Sequence, residues 1–169
     1  MLGRKDGFTV AALFGALRSD TAGNVYAMAA AVLFPIAAII GGGVDIGRAY
    51  MAQARLQQAC DAGALAGRRA MTGATMSAAD AVEARKFFDF NFPAGSFDTD
   101  PFVKINGVDN PRFVDGPSGD KSVRGFAQTT LNTSIMKIFG YQKMNLKVDC
   151  TSRLDIGNVD VMMVLDVTG

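Results

Sequence analysis

From Thr21 to Val44 the chain carries no charged side chain, and residues 25–44 are apolar on every side rather than along one stripe. A segment with no polar face is one whose whole circumference meets an apolar medium. Its 20 residues, at 1.5 Å each, reach about 30 Å as a helix, the thickness of a bilayer's hydrocarbon core. At Asp45 the pattern changes but stays helical. Ile46, Ala49, Met51 or Ala52, Leu56, Ala59, Gly63 and Ala66 recur at spacings of three and four, one face of a helix lined by small residues that let something approach closely. Nothing breaks the chain between the two patterns, so they predict one helix of about 45 residues, closed by Thr72-Gly73. Pro35 removes one backbone hydrogen bond and is expected to bend it. Gly41-Gly-Gly43 reads either as a hinge or as a thin point in a continuous helix.

Further along, Ser77-Ala-Ala-Asp80 is a capping-box variant opening a second helix, from Ala78 to about Phe90. Phe87, Phe88, Phe90 and Phe92 are expected to be core, because no basic residues interleave with them as in a base-stacking platform. Residues 94–120 are dense in Gly, Pro, Asp and Asn and read as turns around one short strand, Phe102-Val-Lys-Ile-Asn106. Strict alternation returns from Lys121 to Thr133, with Val123, Gly125, Ala127, Thr129 and Leu131 on one face. It returns again from Met144 to Ile156, with Met144, Leu146, Val148 and Cys150 on one face. Between them Ser134-Ile-Met-Lys-Ile-Phe-Gly140 reads as a short helical turn, giving a hairpin-like strand pair. The last segment, Val159-Asp-Val-Met-Met-Val-Leu-Asp-Val-Thr-Gly169, is apolar almost throughout, the pattern of a buried central strand of an α/β sheet.

Charge and composition narrow the function classes. Seventeen Lys and Arg stand against 16 Asp and Glu, a net charge of +1, which supplies no basic field for nucleic acid. With no histidine, the chain lacks His-based triads and His-ligated zinc. It also lacks a nucleophile motif and a phosphate-binding Gly loop, so neither an enzyme nor a small-molecule substrate is expected. Cys60 and Cys150 would pair in an oxidising compartment, or else pack as two small apolar thiols; spacing does not decide. Before the apolar run lies a tail, residues 1–24, in which residues 8–17 are apolar but too short to span. The run is too long, and its leading tail too extended, for an ordinary cleaved signal peptide, so an uncleaved anchor is expected. Lys5 and Arg18 on one side balance Arg48 and Arg55 on the other, so the positive-inside rule gives no orientation.

One carboxylate and one hydroxyl form the chain's clearest candidate metal ligands. Asp166 and Thr168 stand at the carboxyl end of the final apolar strand, where ligands of α/β sheets bind, and offer hard oxygen donors to Mg²⁺. The clusters Asp98-Thr-Asp100 and Asp115 to Asp120 lack EF-hand spacing and are expected to be solvated turns.

Taken in order, these parts resemble a known family. Asn24-Val with the long anchor, Val44-Asp-Ile-Gly-Arg-Ala-Tyr50 and Leu56-Gln-Gln-Ala-Cys-Asp-Ala-Gly-Ala-Leu-Ala-Gly67 look like the amino-terminal region of TadG-like (TadE/TadG) proteins of the Tad, or Flp, pilus-assembly system. Residues 123–154, with Ile135-Met-Lys-Ile-Phe-Gly140 between two strands, are similar to the same family. Residues 160–169 resemble the opening of a von Willebrand factor A domain. The resemblance implies a single-pass protein of a bacterial inner membrane with its bulk in the periplasm, a structural component working through contacts with other pilus-assembly proteins. A surface adhesion protein using a metal-ion-dependent adhesion site in its full-length form is the alternative it carries. The adhesion-site pattern needs a second hydroxyl beyond Thr168 and residues from later loops. With the motif cut short at Gly169, we expect no metal or other cofactor on this chain as it stands, Mg²⁺ being reserved for a complete form. Related pseudopilins carry a Gly followed closely by Glu at the prepilin-peptidase site. Gly23-Asn-Val-Tyr-Ala-Met28 has no such Glu, so processing there is not expected.

The expected fold is α+β: a long pilin-like transmembrane and periplasmic helix packed on a small antiparallel sheet. The expected division is a cytoplasmic tail (1–24), a transmembrane helix (25–44), a periplasmic domain (45–157) and the first strand of an incomplete von Willebrand factor A domain (158–169).

Overall fold

The long helix, α1, runs from Thr21 to Ala70 without interruption, 50 residues in all, with Pro35 inside it. The computed structural model describes residues 21–117 and 121–153. The helix is continuous through Gly41-Gly-Gly43. Arg68 and Arg69 occupy the last turn, where cations suit the negative end of the helix dipole. A second helix, α2, spans Ala78–Asn91 and opens with the expected box: the Ser77 hydroxyl accepts from the Asp80 amide, and the Asp80 carboxylate accepts from the Ser77 amide. Three strands follow, β1 (Arg112–Asp115), β2 (Ser122–Asn132) and β3 (Lys143–Arg153), in an antiparallel sheet of order β1-β2-β3. A 3₁₀ turn, Met136–Phe139, lies between β2 and β3 and closes on Gly140, whose φ of 93° is one that glycine adopts freely.

These elements form two compact units, and α1 contributes to both. One comprises residues 21–46 of α1 with Thr133–Gln142. The other comprises Gly47–Asn132 and β3.

The second unit holds the main hydrophobic core. Ala49, Ala52, Leu56, Ala59, Cys60 and Ala64 of α1 meet Val123, Ala127 and Leu131 of β2 and Leu146, Val148 and Cys150 of β3, with Phe88, Phe92 and Phe113 filling one side. The alternation in β2 and β3 therefore puts the expected residues inside. Small residues on α1 matter because bulk comes from the other side. A Cβ on Gly63 would stand 2.5 Å from Phe113 Cζ, so the phenyl ring lies where a side chain would be.

Four local expectations are corrected. Ile46 is exposed, while of the alternatives Met51 or Ala52 it is Ala52 that is buried, as one of the two expected. Phe88 and Phe92 are core, but Phe87 and Phe90 are exposed on the far side of α2. Residues 102–106 form no strand. Phe102 turns into the aromatic cluster, its ring 5.2 Å from that of Phe88, and the backbone reverses in an Ile105–Val108 bridge. The β2 edge is occupied instead by β1, which the turn-rich composition hid, and by Asn110, whose side-chain amide both donates to the Gln128 carbonyl and accepts from the Gln128 amide.

Candidate interaction surfaces of the long helix

Among the described residues of the first unit, the apolar part of α1 is covered along one narrow stripe. Asp45, the first acid after the apolar run, is fully buried. Its Oδ1 accepts from the Ser134 amide at 2.8 Å, and its Oδ2 accepts from the Ile135 and Met136 amides at 2.8 and 2.7 Å. Successive N–H groups at the start of a helical turn point one way and lack intrahelical partners, so one carboxylate can serve several. Below it, a Cβ on Gly41 would stand 2.2 Å from Ile135 Cγ2, an approach that needs glycine. Lower still, the Phe34 and Phe139 rings meet edge-on, 5.2 Å between centroids. Positions 34, 41 and 45 are seven and four residues apart, hence on one helical face. Thr133 closes the loop on itself, its amide donating to the Gln142 carbonyl and its hydroxyl to the Tyr141 and Gln142 carbonyls.

Most of that run is left exposed among the described residues. Val25, Tyr26, Leu33, Ile39 and Ile40 are all exposed, Ile39 to 74%. Over residues 25–70 the helix contains a window long and apolar enough to cross a membrane.

The second unit treats α1 in the opposite way. Gln53 donates to the Lys147 carbonyl at 2.6 Å, and Gln57 to the Asp149 carbonyl at 3.1 Å. Four residues of helix rise about 6 Å and two residues of strand about 6.7 Å, so the two spacings match. The two glutamines occupy outward carbonyls of β3, an edge strand among the described residues, where an open edge would invite pairing with another chain. Cys60 and Cys150 are joined as a disulfide with Cα atoms 5.8 Å apart, which settles the pairing left open above. Arg48 donates to the Phe97 carbonyl at 3.2 Å, tying the turn region to the helix. The small-residue face of α1 is thus spent on its own domain.

The acidic turns have local partners. Asp100 accepts from Lys143 Nζ and the Thr130 hydroxyl, each at 2.5 Å. The Lys143 ammonium chiefly, and then the Thr130 hydroxyl, hold its carboxyl below the usual carboxylate value. Lys104, 2.7 Å from Asp109, does the same there. Asp115 accepts from the Met76 amide at 2.5 Å. Among the described residues no three His, Cys, Asp or Glu side chains gather as a metal site would require. Asp166 and Thr168, the expected Mg²⁺ ligands, lie outside the described residues, as do the tail up to residue 20 and the expected final strand.

On the outward face of the sheet, Arg112, Val114, Arg124 and Phe126 border a shallow depression of about 450 Å³. Arginine beside an aromatic ring is a composition common in protein contacts.

Sequence reasoning missed Asp45 as an anchor and the glutamine pair as an edge cover. The available signals were a lone acid where the apolar pattern ends and two glutamines four apart beside a small-residue stripe. Neither names its partner, since both partners lie some 90 residues away.

Residues 23–81 match the family model described as Flp pilus-assembly TadE/G-like. The match covers nearly all of α1 and the opening of α2, including Asp45, Gln53, Gln57 and Cys60. No curated protein and no solved structure matches the chain.

Proposed function

We propose that this protein is a membrane-anchored structural component of a Tad (Flp) pilus-assembly system, acting through protein–protein contacts and not through catalysis. The observation that carries the reading is the pilus-assembly family match over residues 23–81, lying on a helix whose first half is apolar and uncovered and whose second half is locked to a folded domain. An apolar helix surface without protein cover is stable where lipid supplies the cover. In this reading residues 25–44 span the bacterial inner membrane and the domain from Asp45 onward stands in the periplasm. An oxidising periplasm accords with the Cys60–Cys150 disulfide. Other pilus-assembly proteins are the partners, and the Arg112–Phe126 face of the sheet is a candidate contact. A role in adhesion through Asp166, Thr168 and Mg²⁺ is the alternative reading, and it rests on the sequence pattern alone.

The test is genetic and topological. Deleting the gene should abolish surface pili, and a reporter fused after Arg153 should be active only outside the cytoplasm. Unchanged piliation, or a cytoplasmic reporter, overturns the reading.

A further inference from the structure

We propose that the loop Thr133–Gln142 is a membrane-contacting wedge, seated in the boundary of the same leaflet from which α1 emerges into its domain. The proposal rests on the membrane-spanning reading of residues 25–44.

Position is the first argument. The loop is fastened to α1 at Asp45, the first residue past the apolar run, and also meets α1 inside the run. Ile135 lies against Gly41, three residues inside the end of the run, and the Phe139 ring reaches Phe34, ten residues inside. At 1.5 Å per residue these are depths of about 5 and 15 Å along the helix, so the loop starts within the 5–10 Å burial of interfacial segments and its Phe139 ring reaches deeper. A loop held there shares whatever medium covers the exposed Ile39 and Ile40 of α1.

Backbone accounting is the second argument. Irregular backbone is tolerated near hydrocarbon only when its polar groups find partners within the protein. Here the Ser134, Ile135 and Met136 amides donate to Asp45. Thr133 donates to Gln142, Ile138 to Ile135, Gly140 to Lys137 and Tyr141 to Met136. The Tyr141 and Gln142 carbonyls also receive the Thr133 hydroxyl. A loop of this length on a water-facing surface has no need of such closure, because water serves its amides.

Side chains are the third argument. Ile138 is 73% exposed and Tyr141 65%, although each is large and apolar or amphipathic. Lys137, also exposed, carries a long stem with a charge at its tip. An aliphatic wedge, a tyrosine and a snorkelling lysine are the composition found at a bilayer's headgroup boundary.

The chain has no tryptophan, so single reporters can be placed without background. Full-length protein in phosphatidylcholine–phosphatidylglycerol vesicles would carry Ile138→Trp, Tyr141→Trp or Val32→Trp. Val32, exposed in the middle of the apolar run, reports on the span itself. Lipids brominated along their acyl chains should quench Trp at 138, 141 and 32. A water-soluble quencher should spare all three. If Trp at 32 is quenched by lipid and Trp at 138 and 141 only by the aqueous agent, the wedge is overturned while the span survives. Should Trp at 32 be reached by the aqueous agent, the spanning reading itself fails. Shielding of the loop reporters from both agents would put a second copy over the loop and also overturn the proposal. Tyr141→Trp, an aromatic exchange at an exposed position, keeps the test open if Ile138→Trp perturbs folding.

Discussion

The two halves of α1 use the same residue types for opposite ends. Residues 25–44 and 47–70 are both rich in Ala and Gly, yet the first presents large apolar side chains outward and the second turns small ones inward. In the second half, Ala49, Ala52, Ala59 and Gly63 are small because a sheet and a phenyl ring supply the bulk. In the first half only Gly41 is small for that reason, and its bulk is Ile135. Small residues on a helix therefore mark a close approach. What approaches differs between the halves, a pair of eleven-residue β-strands in one and a ten-residue loop in the other.

The largest expected effect comes from uncoupling the second half. Cys60 and Cys150 are 90 residues apart, and opening so long a loop should cost about 4–5 kcal/mol in the chain-entropy account. Replacing both by Ser should move the urea midpoint of the domain down by that equivalent, and reductant should do the same to the unaltered protein. A shift below about 1 kcal/mol would mean that the helix–sheet packing alone holds the halves of the domain together.

A smaller, more local effect should follow in the first half. Asp45→Ala strands three amides and should cost about 3 kcal/mol, or about 100-fold in the population of the opened loop. Trypsin cutting after Lys137 should accelerate by that factor while the domain's urea midpoint barely moves. Equal loss at both readouts would erase the distinction between the two units.

Smallest is the edge cover. Gln53→Ala and Gln57→Ala should each cost about 1 kcal/mol, and together they leave β3 carbonyls free to pair with another chain. Light scattering should rise with concentration in the double variant; scattering no different from the parent would show that the edge needs no cover.

Much of this architecture was legible in the sequence. The helix, the capping box at Ser77 and Asp80, and the inward faces of β2 and β3 follow from periodicity and local chemistry, which act over a few residues. β1 was not legible, because four residues, Arg-Phe-Val-Asp, are too few to show a period and owe their strand to the edge of β2. Phe102 misled for the converse reason: alternation without a neighbouring strand leaves the backbone unpaired, and the aromatic cluster decides instead. Ile46 had the right spacing from Ala49 but lies exposed, because spacing alone does not say where the buried stripe ends.

By itself, then, the sequence determined that a long uncharged helix leads into an α+β domain, since hydrophobic periodicity and capping are local properties of the chain. Only the tertiary structure decided that Cys60 meets Cys150, that Gln53 and Gln57 cover a strand edge, and that Asp45 gathers the amides of residues 134–136. Each joins groups about 90 residues apart, and such partners are chosen by which surfaces fit once the helix and sheet exist.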